Sequence, residues 1–197
     1  MAKEIVNRVA SSTLQVIDLE EFYPEGIRTI LSITDFLDEG VVLREQSFRE
    51  RLQSHDWTSY KNHYVAVHCP EDVLVPQWAT LLLIRYLQPV TKAVVVGTKD
   101  DLERFLFTEK LALFDAAPYQ NGLVMIKGCA NKPVPQQAMG ILAAKLIPVV
   151  RKLSYGEACS SVPLTKNAIS TPYAHQHQIL HGLVSVERHC HHKPTAE

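Results

Sequence analysis

Apolar runs divide the middle of the chain into short strands and helices. Between residues 64 and 163 they predict the order β, α, β, α, β, α, β. Ala93 to Val96 is continuously apolar, which is typical of a strand covered on both faces. Gln136 to Ile147 is apolar on almost every side, so we expect a buried helix there. Pro76 and Pro135 suit the first position of a helix, where a missing N–H is harmless. The pattern therefore predicts an α/β fold, with a mostly parallel sheet and helices on both of its faces.

Two stretches of this region, residues 61–97 and 121–160, each read as one βαβ unit. A Val-Pro pair and a glycine of the first unit return 59 positions later in the second. Cys69 and Cys129 lie 60 positions apart, so a slip of one residue in one loop would align the two units. Similarity at a fixed period predicts a duplicated supersecondary unit. Chance similarity between two ordinary βαβ units is the alternative.

The N-terminal part of the chain, before the first βαβ unit, is less regular and predicts an α+β layer that completes a single domain over residues 1–166. The elements expected in it are a helix at 2–10, strands at Leu14–Leu19, Ile27–Asp35 and Val41–Leu43, a helix at Gln46–Ser54 and a linker at His55–Tyr60. Residues 167–197 carry six histidines and no sustained core period, so we expect a poorly ordered tail with incidental histidines. A weak metal-chelating extension is the alternative.

Charge and composition narrow the classes of function. The net charge of −1 creates no field that would attract nucleic acid or an anionic membrane. Arg85 and Lys145 interrupt the longest apolar runs too early for a membrane-spanning helix. The first residues contain no apolar core of signal-peptide length, so we expect a cytoplasmic protein. In that reducing compartment, cysteines are more often ligands, nucleophiles or core residues than disulfides.

Three of the cysteines, Cys69, Cys129 and Cys159, each follow a predicted strand directly. In an open parallel sheet, ligands bind outside the carboxyl ends of the strands. We therefore expect the three thiols to lie at one edge of the sheet. Thiolates are the ligands that zinc and iron–sulfur clusters prefer. The sequence accordingly predicts a metal or cluster site formed by these three residues.

The fourth ligand and the function itself stay open at this stage. Candidates for the fourth ligand are His68, Glu157, a histidine of the tail, a cysteine of a second subunit in a homodimer, or an exogenous ligand. An enzyme that acts on a small molecule is one alternative, with Cys129 or Cys159 as its nucleophile. An interaction protein with inert, buried cysteines is another. Cys-x-x-Cys pairs and the common nucleotide, hydrolase and zincin signatures are absent from the sequence.

Several short motifs resemble a known family. They are Asp18-Leu-Glu-Glu-Phe-Tyr-Pro-Glu-Gly26, His55-Asp-Trp57, Lys127-Gly-Cys129 and Tyr155-Gly-Glu-Ala-Cys159-Ser-Ser-Val-Pro163. Over residues 3–166 the chain resembles the bacterial family named domain of unknown function 2480. The resemblance implies no established activity. It does imply an association with iron–sulfur cluster assembly, and hence iron–sulfur assembly proteins as partners and a metal or cluster at the three cysteines.

Overall fold

The computed structural model describes residues 14–128, 131–157 and 160–165. Its strands are β1 Leu14–Asp18, β2 Arg28–Ser32, β3 Tyr64–His68, β4 Ala93–Val96, β5 Leu123–Lys127, β6 Lys152–Tyr155 and β7 Val162–Pro163. Its α-helices are α1 Glu45–Ser54, α2 Gln77–Leu87, α3 Lys99–Ala112 and α4 Gln136–Leu146. Short 3₁₀ turns occupy Leu19–Phe22, Ile33–Phe36, Trp57–Tyr60 and Ala117–Tyr119. The α/β class predicted from the apolar pattern is confirmed.

The strands form two sheets. One, which we call the β3 sheet, has the order β2-β3-β4, and the other, the β5 sheet, has the order β1-β5-β6-β7. All pairings are parallel except that of β7, which runs antiparallel to β6. Mostly parallel strands are thus confirmed, but the expected single sheet is divided in two. A βαβ pattern fixes only which strands pair within one unit, and here the two units do not pair with each other.

Helix α3 lies between the two sheets and belongs to the core of both. Its first half places Leu102 and Leu106 against Ala66 of β3. Its second half places Phe107 and Leu111 in the core of the β5 sheet, where α4 also packs. The opposite face of the β3 sheet is covered by α1 and α2. The arrangement is therefore layered, and α3 is the helix that both sheets share.

The two βαβ units correspond residue by residue at a constant spacing of 59 in the sequence. Asn62 and Asn121 precede β3 and β5, and both adopt a left-handed conformation with φ of 63° and 57°. Their backbone N–H groups donate to Val90 O and Val149 O, each at 2.9 Å. Helices α2 and α4 follow at the same spacing and have the same length of 11 residues. The two βαβ units therefore share backbone detail as well as apolar pattern.

The correspondence extends to the aromatic residues outside the βαβ units. Phe36 and His55 meet in a T-shaped contact at 5.1 Å, and Phe22 and Phe114 do the same at 5.7 Å, both with an interplanar angle of 71°. His55 and Phe114 again correspond at the spacing that relates the two halves. Strands β1 and β2, each followed by a 3₁₀ turn, therefore occupy equivalent outer positions in the two sheets. The N-terminal part thus contains the expected mixture of strands and a helix, and its two strands join different sheets.

A buried ion pair fixes the point where the chain crosses from one sheet to the other. Arg28 Nε, at the start of β2, donates to Glu103 Oε1 of α3 at 2.9 Å, and the two side chains are only 8% and 5% exposed. The guanidinium also lies over the Tyr23 ring at 4.1 Å and donates to Gly26 O at 2.8 Å. These contacts hold the turn between β1 and β2 against α3.

Four local expectations remain, and their outcomes differ. Val41–Leu43 is not a strand: Val42 makes only an isolated bridge to Asp38 across a tight turn, in which Glu39 and Gly40 have positive φ. The expected linker contains the 3₁₀ turn Trp57–Tyr60, because the Asp56 side chain accepts a hydrogen bond from Thr58 N and starts it. The predicted helix at 2–10 and the tail at 167–197 lie outside the described residues.

Candidate functional site

A charged cluster lies at the carboxyl-end edge of the β5 sheet. Asp18 ends β1, Lys127 ends β5 and Glu157 comes two residues after β6. Lys127 Nζ is 3.7 Å from Asp18 Oδ2 and 3.7 Å from Glu157 Oε1. Because the three strands are parallel, their carboxyl ends meet here, where ligands bind in open parallel sheets. We call these three residues the edge cluster.

The loop from β5 to α4 is tied to the acidic turn that follows β1. Asn131 N donates to Glu20 Oε1 at 2.8 Å, and Lys132 Nζ donates to Glu25 Oε1 at 2.7 Å. The hydrogen bond from Lys132 lowers the pKa of Glu25, and the same bond raises the pKa of Lys132. From the sequence alone, the acidic turn reads as a solvated charge cluster. In the structure it holds Asn131 and Lys132 of the β5–α4 loop.

Two glycines allow the backbone to pack closely at this edge. A Cβ on Gly128 would lie 3.0 Å from Met139 Cε and 3.3 Å from Tyr155 Oη. Gly156 has a φ of +119°, which side chains rarely permit, and its Cβ would approach Ser160 O at 3.2 Å. Shortly after β6, Ser160 N donates a backbone hydrogen bond to Glu157 O at 2.9 Å. A side chain at Gly156 would strain the backbone at the end of β6, whereas one at Gly128 would displace the side chains of Met139 and Tyr155.

Cys129 and Cys159 lie outside the described residues, but the strands that lead to them are described. Cys129 comes two residues after Lys127, and Cys159 comes two residues after Glu157. Strands β5 and β6 are directly paired, from Leu123 beside Lys152 to Ile126 beside Tyr155. The expectation that these two strands are neighbours is therefore confirmed.

Cys69 lies elsewhere, after β3 in the other sheet. Its thiol is half-buried and packs against the apolar core beneath α1 and α2. Burial raises the pKa of this thiol, which disfavours the thiolate that a metal needs. Whether Cys69 approaches the other two cysteines stays a prediction.

The slip of one residue between the repeats is wrong. The loop from β3 to α2 and the loop from β5 to α4 have the same length, so Cys69 corresponds to Gly128 and Pro70 corresponds to Cys129. His68 corresponds to Lys127, at the end of its strand. The slip follows from matching two cysteines by identity, although nothing in the backbone requires them to be equivalent.

Within residues 14–128, 131–157 and 160–165, no group of three or more histidine, cysteine, aspartate or glutamate side chains could hold a metal ion. Glu157, a candidate fourth ligand, lies in the edge cluster. His68, the other named candidate, ends β3 beside Ser32 in the other sheet. The sequence reasoning missed the contact between Lys127 and Asp18, because the pairing of β1 with β5 joins distant parts of the chain and leaves no local signal.

Two grooves, neither of them lined by a residue of the edge cluster, lie at corresponding places in the two halves. A groove of about 560 Å³ between the first turns of α3 and α4 is lined by residues that include Arg104 and Gln137. A groove of about 400 Å³ between α1 and α2 is lined by residues that include Glu45 and Trp78. Glu45 corresponds to Arg104, and Trp78 corresponds to Gln137, at the spacing that relates the two halves. The grooves share a position and differ in polarity, so the fold itself does not dictate their lining.

A family model described as protein of unknown function (DUF2480) matches residues 3–167. The chain belongs to this family. The DUF2480 match covers both halves of the fold, including β7 and the edge cluster, so these features belong to the family region. No curated protein and no solved structure matches the chain. Among the described residues, no helix combines the length and the apolar character needed to cross a membrane.

Proposed function

We propose that the protein binds a zinc ion or an iron–sulfur cluster at the carboxyl-end edge of the β5 sheet, with Cys129 and Cys159 as thiolate ligands. In this proposal it is a cytoplasmic accessory to iron–sulfur cluster assembly. One observation carries it: Lys127 and Glu157, each two residues before one of the cysteines, are within 3.7 Å of each other. The two strands that precede these cysteines in the sequence are paired and end side by side.

Chain geometry supports this placement. An extended chain advances about 3.3 Å per residue, so the two residues of chain that separate each cysteine from Lys127 or Glu157 span at most about 7 Å. A zinc–sulfur bond is about 2.3 Å long, so one ion can reach thiolates that approach from both strands. Soft thiolate donors suit zinc and iron–sulfur clusters better than hard cations such as magnesium.

Lys127 is the one charge of the edge cluster that suits a thiolate, since the carboxylates of Asp18 and Glu157 leave the cluster with a net charge of −1. A nearby ammonium group favours the thiolate over the thiol, and Lys127 supplies one beside both strand ends. Asp18 and Glu157 hold that ammonium by two ion pairs. Glu157 also offers a carboxylate oxygen as a further ligand, which zinc accepts. Cys69, half-buried in the other half of the molecule, is the natural comparison for the two edge cysteines.

The direct test uses the full chain, purified without oxygen, with metal analysis and a visible absorption spectrum. We expect bound zinc, or iron with acid-labile sulfide and absorption from sulfur-to-iron charge transfer. Cys129→Ser and Cys159→Ser should each abolish most of the bound metal, because a site rarely survives the loss of a thiolate.

Cys69→Ser is the matched control in the same experiment. Unchanged metal content in this variant means that Cys69 is not a ligand, and a loss equal to that of the other two variants means a site of three cysteines. The proposal fails if the wild-type protein holds no metal after reconstitution with zinc, or with iron and sulfide. It also fails if Cys129→Ser and Cys159→Ser retain the full content.

A cysteine nucleophile is the second candidate, and the position of Lys127 favours it. An ammonium group close to a cysteine lowers the pKa of the thiol and increases its reactivity at neutral pH. Alkylation rates of the three thiols distinguish this function: Cys129 or Cys159 should react much faster than half-buried Cys69 in metal-free protein. Equal, slow rates would instead support an interaction protein with inert cysteines, for which exposed Leu74 and Leu81 offer an apolar surface.

A further inference from the structure

The two faces of the β5 sheet differ in what covers them. Val124 and Ile126 belong to the core that α3 and α4 complete. Side chains alternate along a strand, so Met125 lies on the opposite face, beside its pairing partners Val16 and Ser154. We call this side of the sheet the Met125 face. Met125 and Ser154 are only 2% and 6% exposed, yet Met125 belongs to none of the three apolar clusters that the described residues form.

The β3 sheet shows how the corresponding face is covered. Ala66 corresponds to Met125 at the spacing that relates the two halves, and it is fully buried. Leu102 and Leu106 of α3 pack against it, so a helix covers this face of the β3 sheet. The second half of α3, with Leu111, is already committed to the opposite face of the β5 sheet. The position over Met125 therefore suits another helix, which the described residues do not supply.

The segment before β1 is the best placed to supply this helix. Its apolar side chains recur with helical spacing, at Ala2, Ile5, Val6 and Val9. Strand β1 begins at Leu14, so only three residues, 11–13, separate a helix over 2–10 from the sheet. Connections this short place a helix against the strand that follows it. Since α3 and α4 occupy one face of the β5 sheet, the Met125 face is the one left for it.

We propose that residues 2–10 form a helix whose apolar stripe packs on the Met125 face of the same chain. A helix over 2–10 is about 13 Å long and β1 about 16 Å, so the helix can follow the strand back to Asp18. Its amino end, which is the positive end of the helix dipole, then lies beside the edge cluster with its net charge of −1. The segment thus covers Met125 and also reaches the carboxyl-end edge of the sheet.

Two other occupants of this face are less well supported. A second copy is not required, because Met125 and Ser154 are buried within a single chain. Residues 166–197 start beside Leu153 of β6, whose carbonyl accepts from Thr165 N at 3.2 Å, on the side of the sheet away from β1. The DUF2480 match runs from residue 3 to residue 167, so it includes most of the N-terminal segment and excludes nearly all of the tail.

The test uses hydrogen peroxide to probe the Met125 side chain in the full, metal-free chain, with oxidation rates measured by mass spectrometry. Met139 is the internal control, because it packs in the core on the other face and falls in a different tryptic peptide. We expect slow oxidation of Met125 in the wild type. Ile5→Asp should raise this rate about tenfold, since the loss of one buried apolar side chain weakens the docking of the helix by that factor.

Two further variants separate docking from general effects. Asn7→Asp adds the same charge on the polar side of the helix, opposite the apolar stripe, and should leave Met125 protected. Val9→Ala is a mild change that adds no charge, and it should raise the oxidation rate of Met125 about fivefold. The rate at Met139 should stay at the wild-type value in all three variants.

Several outcomes would overturn the proposal. One is a Met125 rate that neither Ile5→Asp nor Val9→Ala changes, and another is equal acceleration at Met139 in both, which indicates general unfolding. Faster oxidation of Met125 in Ile179→Asp with Leu183→Asp would make the tail the cover, and protection that appears only at high protein concentration would make it a second copy. Because the protein is metal-free throughout, these results are independent of the metal proposal.

Discussion

At the scale of single residues, Arg28 and Glu103 are the charged pair on which the crossing between the sheets depends. We predict that Glu103→Gln lowers the free energy of unfolding by about 3 to 5 kcal/mol, because it leaves the Arg28 guanidinium buried without a counter-charge. Urea denaturation monitored by circular dichroism measures the loss. Arg28→Met should cost a similar amount, since it leaves the Glu103 carboxylate unpaired.

The double variant Arg28→Met with Glu103→Met is the control for this pair. It removes both charges, so it should be more stable than the sum of the two single losses predicts. Additive losses in the cycle would show that the two residues do not act together. A loss below about 1 kcal/mol in Glu103→Gln would show that the pair is effectively solvated, as surface ion pairs are.

The candidate site is predictable from the sequence only in part, and single residues show why. Glu157 can be named in advance because it sits in a short motif beside a cysteine at a predicted strand end. The contact between Lys127 and Asp18 cannot be predicted from the sequence, since it exists only once β1 has paired with β5. In the sequence, Cys69 resembles Cys129 and Cys159 because it too directly follows a predicted strand. No local signal shows that this strand belongs to the other sheet.

At the scale of elements, the start of α3 is fixed by a reciprocal cap. Thr98 Oγ1 accepts a hydrogen bond from Asp101 N at 3.2 Å, while Asp101 Oδ2 accepts from Thr98 N at 2.8 Å. We predict that Thr98→Ala destabilises the protein by about 1 kcal/mol at pH 7, which thermal unfolding would detect. A value near zero would mean that packing alone holds the first turn of α3.

The effect of this cap should depend on pH in a defined direction. Hydrogen bonds from the backbone and side chain of Thr98 lower the pKa of Asp101 in the folded protein. A lowered pKa stabilises the fold above the unfolded value of about 3.9, and the stabilisation is lost as the pH falls through the folded pKa. The difference between wild type and Thr98→Ala should therefore shrink below about pH 4 and stay constant between about pH 6 and 8.

The elements that the sequence predicts well are those whose signals are local. Helices α2 and α4 are marked by a proline and an apolar run, so they can be placed from the sequence, although each proline is the N-cap and not the first helical residue. Val41–Leu43 is misleading because three apolar residues suit a turn as well as a strand, and the positive φ of Glu39 and Gly40 decides for the turn. The division into two sheets cannot be predicted from the sequence, since parallel pairing partners are set by packing rather than by local pattern.

At the scale of the whole molecule, α3 makes the two halves depend on each other. Leu106 packs on the β3 sheet, whereas Leu111 is fully buried in the core of the β5 sheet. One rigid helix of 14 residues thus carries both contacts, and neither sheet can lose it without exposing its own apolar face. Although the repeat suggests two units that could fold separately, the shared helix indicates that they unfold together.

Joint unfolding can be tested because both tryptophans of the chain, Trp57 and Trp78, lie in the β3 half. We predict that Leu111→Ala costs about 2 to 5 kcal/mol through the cavity it leaves in the β5 core. The tryptophan fluorescence transition in urea should shift by the same amount, although neither tryptophan belongs to that core. Leu142→Ala, in the β5 core but on α4, should shift the tryptophan transition by its own full loss of stability if all elements unfold in one step. A tryptophan transition that stays at the wild-type midpoint in Leu111→Ala, while amide exchange in β5 and β6 accelerates, would show two halves that unfold independently despite their common helix.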